Sequence, residues 1–83
     1  MKVHNLKIEQ KYYDRIIDRT KTFEVRNNDR DYQVGDMISF AVLQDNAEPW
    51  ASDQQYKITY IMHSNDIIDL GEDVIMSIEL VQR

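Results

Sequence analysis

The stretch Lys21-Thr22-Phe23-Glu24-Val25-Arg26-Asn27-Asn28-Asp29-Arg30-Asp31-Tyr32-Gln33-Val34-Gly35-Asp36 is the densest in the chain. Its first six residues alternate and predict a strand, with Phe23 and Val25 toward the core and Thr22, Glu24 and Arg26 on the other face. Residues 27–36 are polar turn-formers. Gly35, one of two glycines, precedes an apolar run and suits a positive φ that side chains resist. Glu24 and Arg26 share a strand face about 6.5–7 Å apart. A carboxylate beside a guanidinium fixes its fork and frees the other donors for a phosphate or a base edge. Lys21 adds a compact cation. The plainer alternative is a Glu–Arg pair that only orders the mouth of the fold.

Working toward the N-terminus, residues 9–19 carry helical spacing, with Tyr12–Ile16 and Tyr13–Ile17 as i, i+4 pairs. Before them, Val3–Ile8 alternates as a strand with His4, Leu6 and Ile8 on one face. Such a histidine is more often a hydrogen-bonded core residue than a catalyst. Toward the C-terminus, Met37–Leu43 is apolar on both faces and predicts a central strand. Residues 44–53 read as a loop holding Pro49 and Trp50, the tryptophan either folding over the core or stacking on a base. Gln55–Met62 predicts a strand with Tyr56, Ile58, Tyr60 and Met62 aligned. A loop over Ser64–Asp73 precedes a last strand, Val74–Val81, with Val74, Met76, Ile78 and Leu80 on one face.

One helix cannot cover both faces of an open five-stranded sheet. The order of elements therefore predicts a single α+β domain over residues 1–83, a small mixed five-stranded barrel with its main helix after the first strand. With 83 residues and no cysteine, neither disulfides nor thiolate zinc supplement the small core. Residues 1–8 do not form the apolar block of a signal peptide. No apolar run reaches the roughly 20 residues of a membrane span. A cytoplasmic protein without membrane association is expected.

Charge is unevenly spread. Through Arg30, eight cations face five acids, leaving +3; beyond it, two face ten, leaving −8. A net charge of −5 argues against strong non-specific binding to nucleic acid. The basic first part still suits one small anion or a short RNA segment. His4 and His63 lack ligand-spaced carboxylates, and no Gly-rich phosphate loop is present, so no metal or cofactor is expected.

Lys21-x-x-Glu24-x-Arg26 resembles the G-x-K-x-x-E-x-R signature of ASCH domains, PUA-like barrels proposed to bind RNA. The opening His4-Asn5-Leu6-Lys7-Ile8 and the stretch Lys21–Asp36 are similar to a bacterial and phage ASCH-type family of unknown function, along essentially the whole chain. Arg19 stands where the signature has Gly. The resemblance implies a cleft between helix and barrel lined by Lys21, Glu24 and Arg26, with Asn28, Asp29 and Arg30 as one rim and His4 pointing into the barrel or the cleft.

The expected function is a module binding RNA or a nucleotide. The alternative is a small amidohydrolase acting on acylated cytidine, as some ASCH relatives do, with Lys21 as the candidate catalytic base. Glu24 sits where that mechanism has a hydroxyl residue, and Thr22 on a regular strand points away from Lys21. A second alternative is a phage or mobile-element interaction module whose acidic face, Asp45 to Asp73, engages a basic partner.

Overall fold

Alternation in the first strand has the expected consequence. In the computed structural model, which describes residues 1–81, β1 (Val3–Glu9) buries His4, Leu6 and Ile8 and exposes the residues between them. The chain then enters α1 (Gln10–Ile17), whose Tyr13 and Ile16 face the core. The expected stripe is thus narrower than predicted, and Tyr12 and Ile17 flank it half-exposed.

The helix ends in a Schellman turn. Arg19 N–H donates to the Ile16 carbonyl and Thr20 N–H to the Arg15 carbonyl, at 3.2 and 3.0 Å. That turn puts Arg19 at φ 67, in the left-handed region. This is where the resembling signature has glycine, the residue for which the region is unstrained. Arginine adopts it here at a cost of about 1–2 kcal/mol.

Four more strands follow: β2 (Phe23–Asn27), β3 (Met37–Gln44), β4 (Ala47–Met62) and β5 (Asp73–Leu80). They form one mixed sheet in the order β1-β3-β4-β5-β2. The β1–β3 pair is parallel, and the other pairs are antiparallel. As its apolar pattern predicts, β3 lies inside the sheet. Phe40, Ile38, Val42, Leu6, Ile58 and Met76 form the fully buried centre. Gly35 takes φ +97 at the turn into β3, as expected.

The predicted barrel is not closed by backbone pairing. β1 and β2 are the two sheet edges and share no ladder. Arginine side chains from β2 and from the turn after it reach β1 instead. Arg26 Nη2 donates to the Lys7 carbonyl at 2.8 Å, and Arg30 Nη1 to the Asn5 carbonyl at 3.2 Å. Both carbonyls lie on the β1 edge that β3 does not use, so cations satisfy part of an edge that would otherwise pair with strangers.

Three local expectations are corrected. First, β2 is turned over: Glu24 faces inward while Phe23 and Val25 face solvent. A buried carboxylate is tolerated only with partners, and Lys21 and Arg26 supply them. Second, residues 47–53 are not a loop. β3 and β4 continue as a long hairpin through a turn at Asp45–Asn46, with Asn46 at φ 55. Pro49 is accommodated where the β3–β4 register shifts, between Val42 and Gln44. Third, the β4–β5 register shifts between Ile58 and Tyr60. The bulge keeps Tyr56, Ile58 and Ile61 inside and turns Tyr60 out.

Candidate functional site

Lys21, Glu24 and Arg26 do come together. They arrive from the helix-to-strand turn and from β2, and all three line a hollow of about 360 Å³ with Lys7, Glu9, Tyr12 and the apolar Ile8, Val25 and Leu43. The volume matches the lower range of small-ligand sites. Because β2 is turned over, Glu24 lies at the back, only 3% exposed. Its two carboxylate oxygens are divided between the cations. Lys21 Nζ donates to Oε1 at 2.8 Å and Arg26 Nε to Oε2 at 2.9 Å.

The cations are further tied to the backbone. Lys21 Nζ donates to the Phe23 carbonyl at 2.6 Å, and Arg26 spans the seam to Lys7. An ammonium has three donor hydrogens and a guanidinium five. Among the described residues, one on Lys21 and three on Arg26 are therefore left without a protein acceptor. Each Glu24 oxygen already accepts from one cation and the carboxylate is buried, so the triad presents donors to a ligand. The lining carries Lys7, Lys21 and Arg26 against Glu9 and Glu24, a local excess of one positive charge. The arrangement suits an acceptor-rich ligand with a flat ring for the apolar walls and Tyr12.

The remaining predicted residues lie elsewhere. Arg30 is held in the β1–β2 seam by the Asn5 carbonyl. Asn28 and Asp29 line a separate hollow with His63, Glu72 and Asp73. Asn28 is used locally: its Oδ1 accepts the Tyr32 amide at 3.0 Å, while its own amide donates to the Glu72 carbonyl at 2.9 Å. Asn28, Asp29 and Arg30 therefore do not form the expected rim of the Lys21 hollow: the turn carries the first two to the separate hollow, and Arg30 reaches the seam.

His4 also leaves the ligand set. It is buried, its ring edge rests on Tyr32 at 4.7 Å, and its Nε2 donates to Asp36 Oδ2 at 2.9 Å. Asp36 accepts the Lys2 and Gln33 amides as well, both at 3.1 Å. Burial pushes the Asp36 pKa up, but the bonds from His4, Lys2 and Gln33 outweigh it and hold the carboxyl below the ordinary 3.8. Burial likewise raises the Tyr32 phenol, against the nearby charges of Arg30 and Arg26. These groups anchor the turn into β3. Trp50 stands on the β4 arm with its ring edge-on to Tyr13 at 5.5 Å, leaning on the helix.

A second hollow, about 450 Å³, lies beyond Lys21 and includes Arg19, Thr22, Tyr56 and Glu79. Thr22 belongs there because β2 begins only at Phe23. The alternation over Lys21–Arg26 gives no sign of this, since it places Thr22 inside the strand. Among the described residues, no group of three or more His, Cys, Asp or Glu is placed to hold a metal ion. No helix there is long and apolar enough to cross a membrane. In comparisons with known proteins, the family described as Domain of unknown function (DUF3850) matches residues 3–78. No curated protein matches the chain.

Proposed function

We propose that this chain, which belongs to the DUF3850 family, is a binding module of the ASCH and PUA-like kind that grips RNA or a nucleotide in the Lys21–Glu24–Arg26 hollow. The observation that carries this reading is the donor-presenting triad. A buried carboxylate aligns an ammonium and a guanidinium that line an open, ring-sized space and keep hydrogens without a protein acceptor among the described residues. Phosphate oxygens and the carbonyl edge of a base are the matching acceptors. In this reading the arginine bridge between β1 and β2 stands where a closed barrel would have a ladder.

The net acidic chain makes the interaction weak and salt-sensitive. Calorimetric titration of adenosine 5′-monophosphate at low salt tests the proposal. Arg26→Ala is expected to weaken binding by about tenfold, the loss of roughly one charged hydrogen bond. Equal affinities of wild type and variant contradict the reading.

One observation favours a second reading, hydrolysis of acylated cytidine. Lys21 and Thr22 line the second hollow together with Glu79. Against it, Lys21 Nζ is already bonded to Phe23 and Glu24 on the other side. Release of cytidine from its acylated form, lost in Lys21→Ala, decides for hydrolysis.

A further inference from the structure

The reversal of β2 places apolar side chains on the outside of the sheet. Phe23 is 44% exposed, and Tyr60, turned out by the bulge in β4, is 55% exposed. They belong to one cross-strand row. Phe23 pairs with Ser77 of β5, and Ser77 pairs with Tyr60 of β4. Neighbouring strands lie about 4.8 Å apart, so the two rings stand about 10 Å apart at the backbone, with only the small Ser77 between them. The adjacent row, Val25, Ile75 and Met62, extends the apolar floor.

Two features say what covers this face. The row is aromatic at both ends and nearly flat in the middle, which suits two bases better than one protruding apolar anchor. It is also continuous with the hollow, because Lys21 Nζ lies 4.8 Å from the Phe23 ring centroid while bonded to Glu24. A base on the open side of Phe23 would complete a cation–ring–base stack. Lys57, opposite Glu79 one step along the face, leaves the rim without a strong field of either sign.

We propose that the outer face of β2, β5 and β4 is a two-base stacking platform for single-stranded RNA, Phe23 and Tyr60 each receiving one base while the Lys21–Arg26 hollow takes a neighbouring nucleotide. The last clause rests on the function proposed above; the platform itself rests on the exposed aromatic row. Stacking on aromatic side chains is tolerant of sequence, so the platform selects single strands over duplex rather than one base over another.

NMR titration with adenosine 5′-monophosphate and with tetra-adenylate RNA separates the two parts. The tetranucleotide is expected to move the Phe23 and Tyr60 ring signals and to bind about tenfold or more tighter than the monophosphate. Tyr60→Leu, which keeps the apolar area and lies at the end of the row farther from the hollow, is expected to leave monophosphate binding unchanged and cut tetranucleotide affinity about fivefold. Phe23→Leu added to it removes the remaining advantage. The platform is overturned if the rings do not respond, or if the advantage survives in the double variant, as it would for an apolar protein-docking face. Ring shifts without any Arg26 response keep the platform and reject the hollow; Arg26 shifts without ring shifts do the reverse.

Discussion

Glu24→Ala is expected to destabilise the domain by about 3 kcal/mol, measured by urea unfolding at neutral pH. The carboxylate is buried and accepts from two cations at 2.8 and 2.9 Å. Removing it leaves Lys21 and Arg26 facing one another across the space it filled. Breaking a buried ion pair costs about 3–5 kcal/mol because the surviving charge stays desolvated. Here the two cationic side chains keep 19% and 25% of their exposure and relax partly into the hollow, which favours the lower end. For a chain of 83 residues, with a stability of roughly 4–12 kcal/mol, such a loss is a large fraction. It corresponds to a fall in Tm of at least about 12 °C. Glu24→Gln, which keeps shape and one acceptor, should lose less. A Glu24→Ala variant within 1 kcal/mol of wild type would mean that the triad is a surface arrangement without structural weight.

The second large effect is at Asp36, also 3% exposed. Asp36→Ala strands the His4 ring nitrogen and the Lys2 and Gln33 amides. Each buried donor without a partner costs about 1–3 kcal/mol, so a loss of about 3 kcal/mol is expected after water enters near the part-buried amides. The same group predicts a pH signature. Its folded pKa lies below the ordinary 3.8, so the folded state holds the carboxylate more strongly than the unfolded chain does. That stability is fully present above the unfolded value and is lost as pH falls through the folded one. Urea midpoints measured downward from pH 6 should drop below about pH 3.8, and Asp36→Asn should flatten that part of the curve. Parallel acid limbs in the two proteins contradict the assignment.

Much of the fold was legible because period-2 patterns are unambiguous where one face is buried. His4, Leu6 and Ile8 and the set Val74, Met76 and Ile78 point inward as their alternation requires. Gly35 occupies the positive-φ position its context suggested. The failures share a cause, a feature that polar–apolar alternation does not register. Alternation points Phe23 and Val25 inward, but the Glu24 carboxylate turns inward instead because Lys21, three residues before it, and Arg26, two after it, compensate its burial. The bulge at Thr59 is a one-residue insertion, and alternation cannot register it before pairing is known. Pro49 argued for a loop, although a register shift leaves room for it on a strand. At the site, the spacing of Lys21, Glu24 and Arg26 carried the signal. Asn28, Asp29 and Arg30 share the same dense stretch, but Asn28 bonds within the turn, Arg30 reaches the seam, and Asp29 lines a separate hollow.

Ligand binding in the hollow requires Arg26 to keep free Nη donors there, and its Nε–Hε resonance, held by Glu24 beside them, senses their occupation. Titration with adenosine 5′-monophosphate at low salt should shift this signal together with the Glu24 amide, and leave the Nε–Hε signals of Arg15 and Arg30 in place. A saturating titration that moves the surface arginines alike, or leaves Arg26 unmoved, contradicts binding in the hollow.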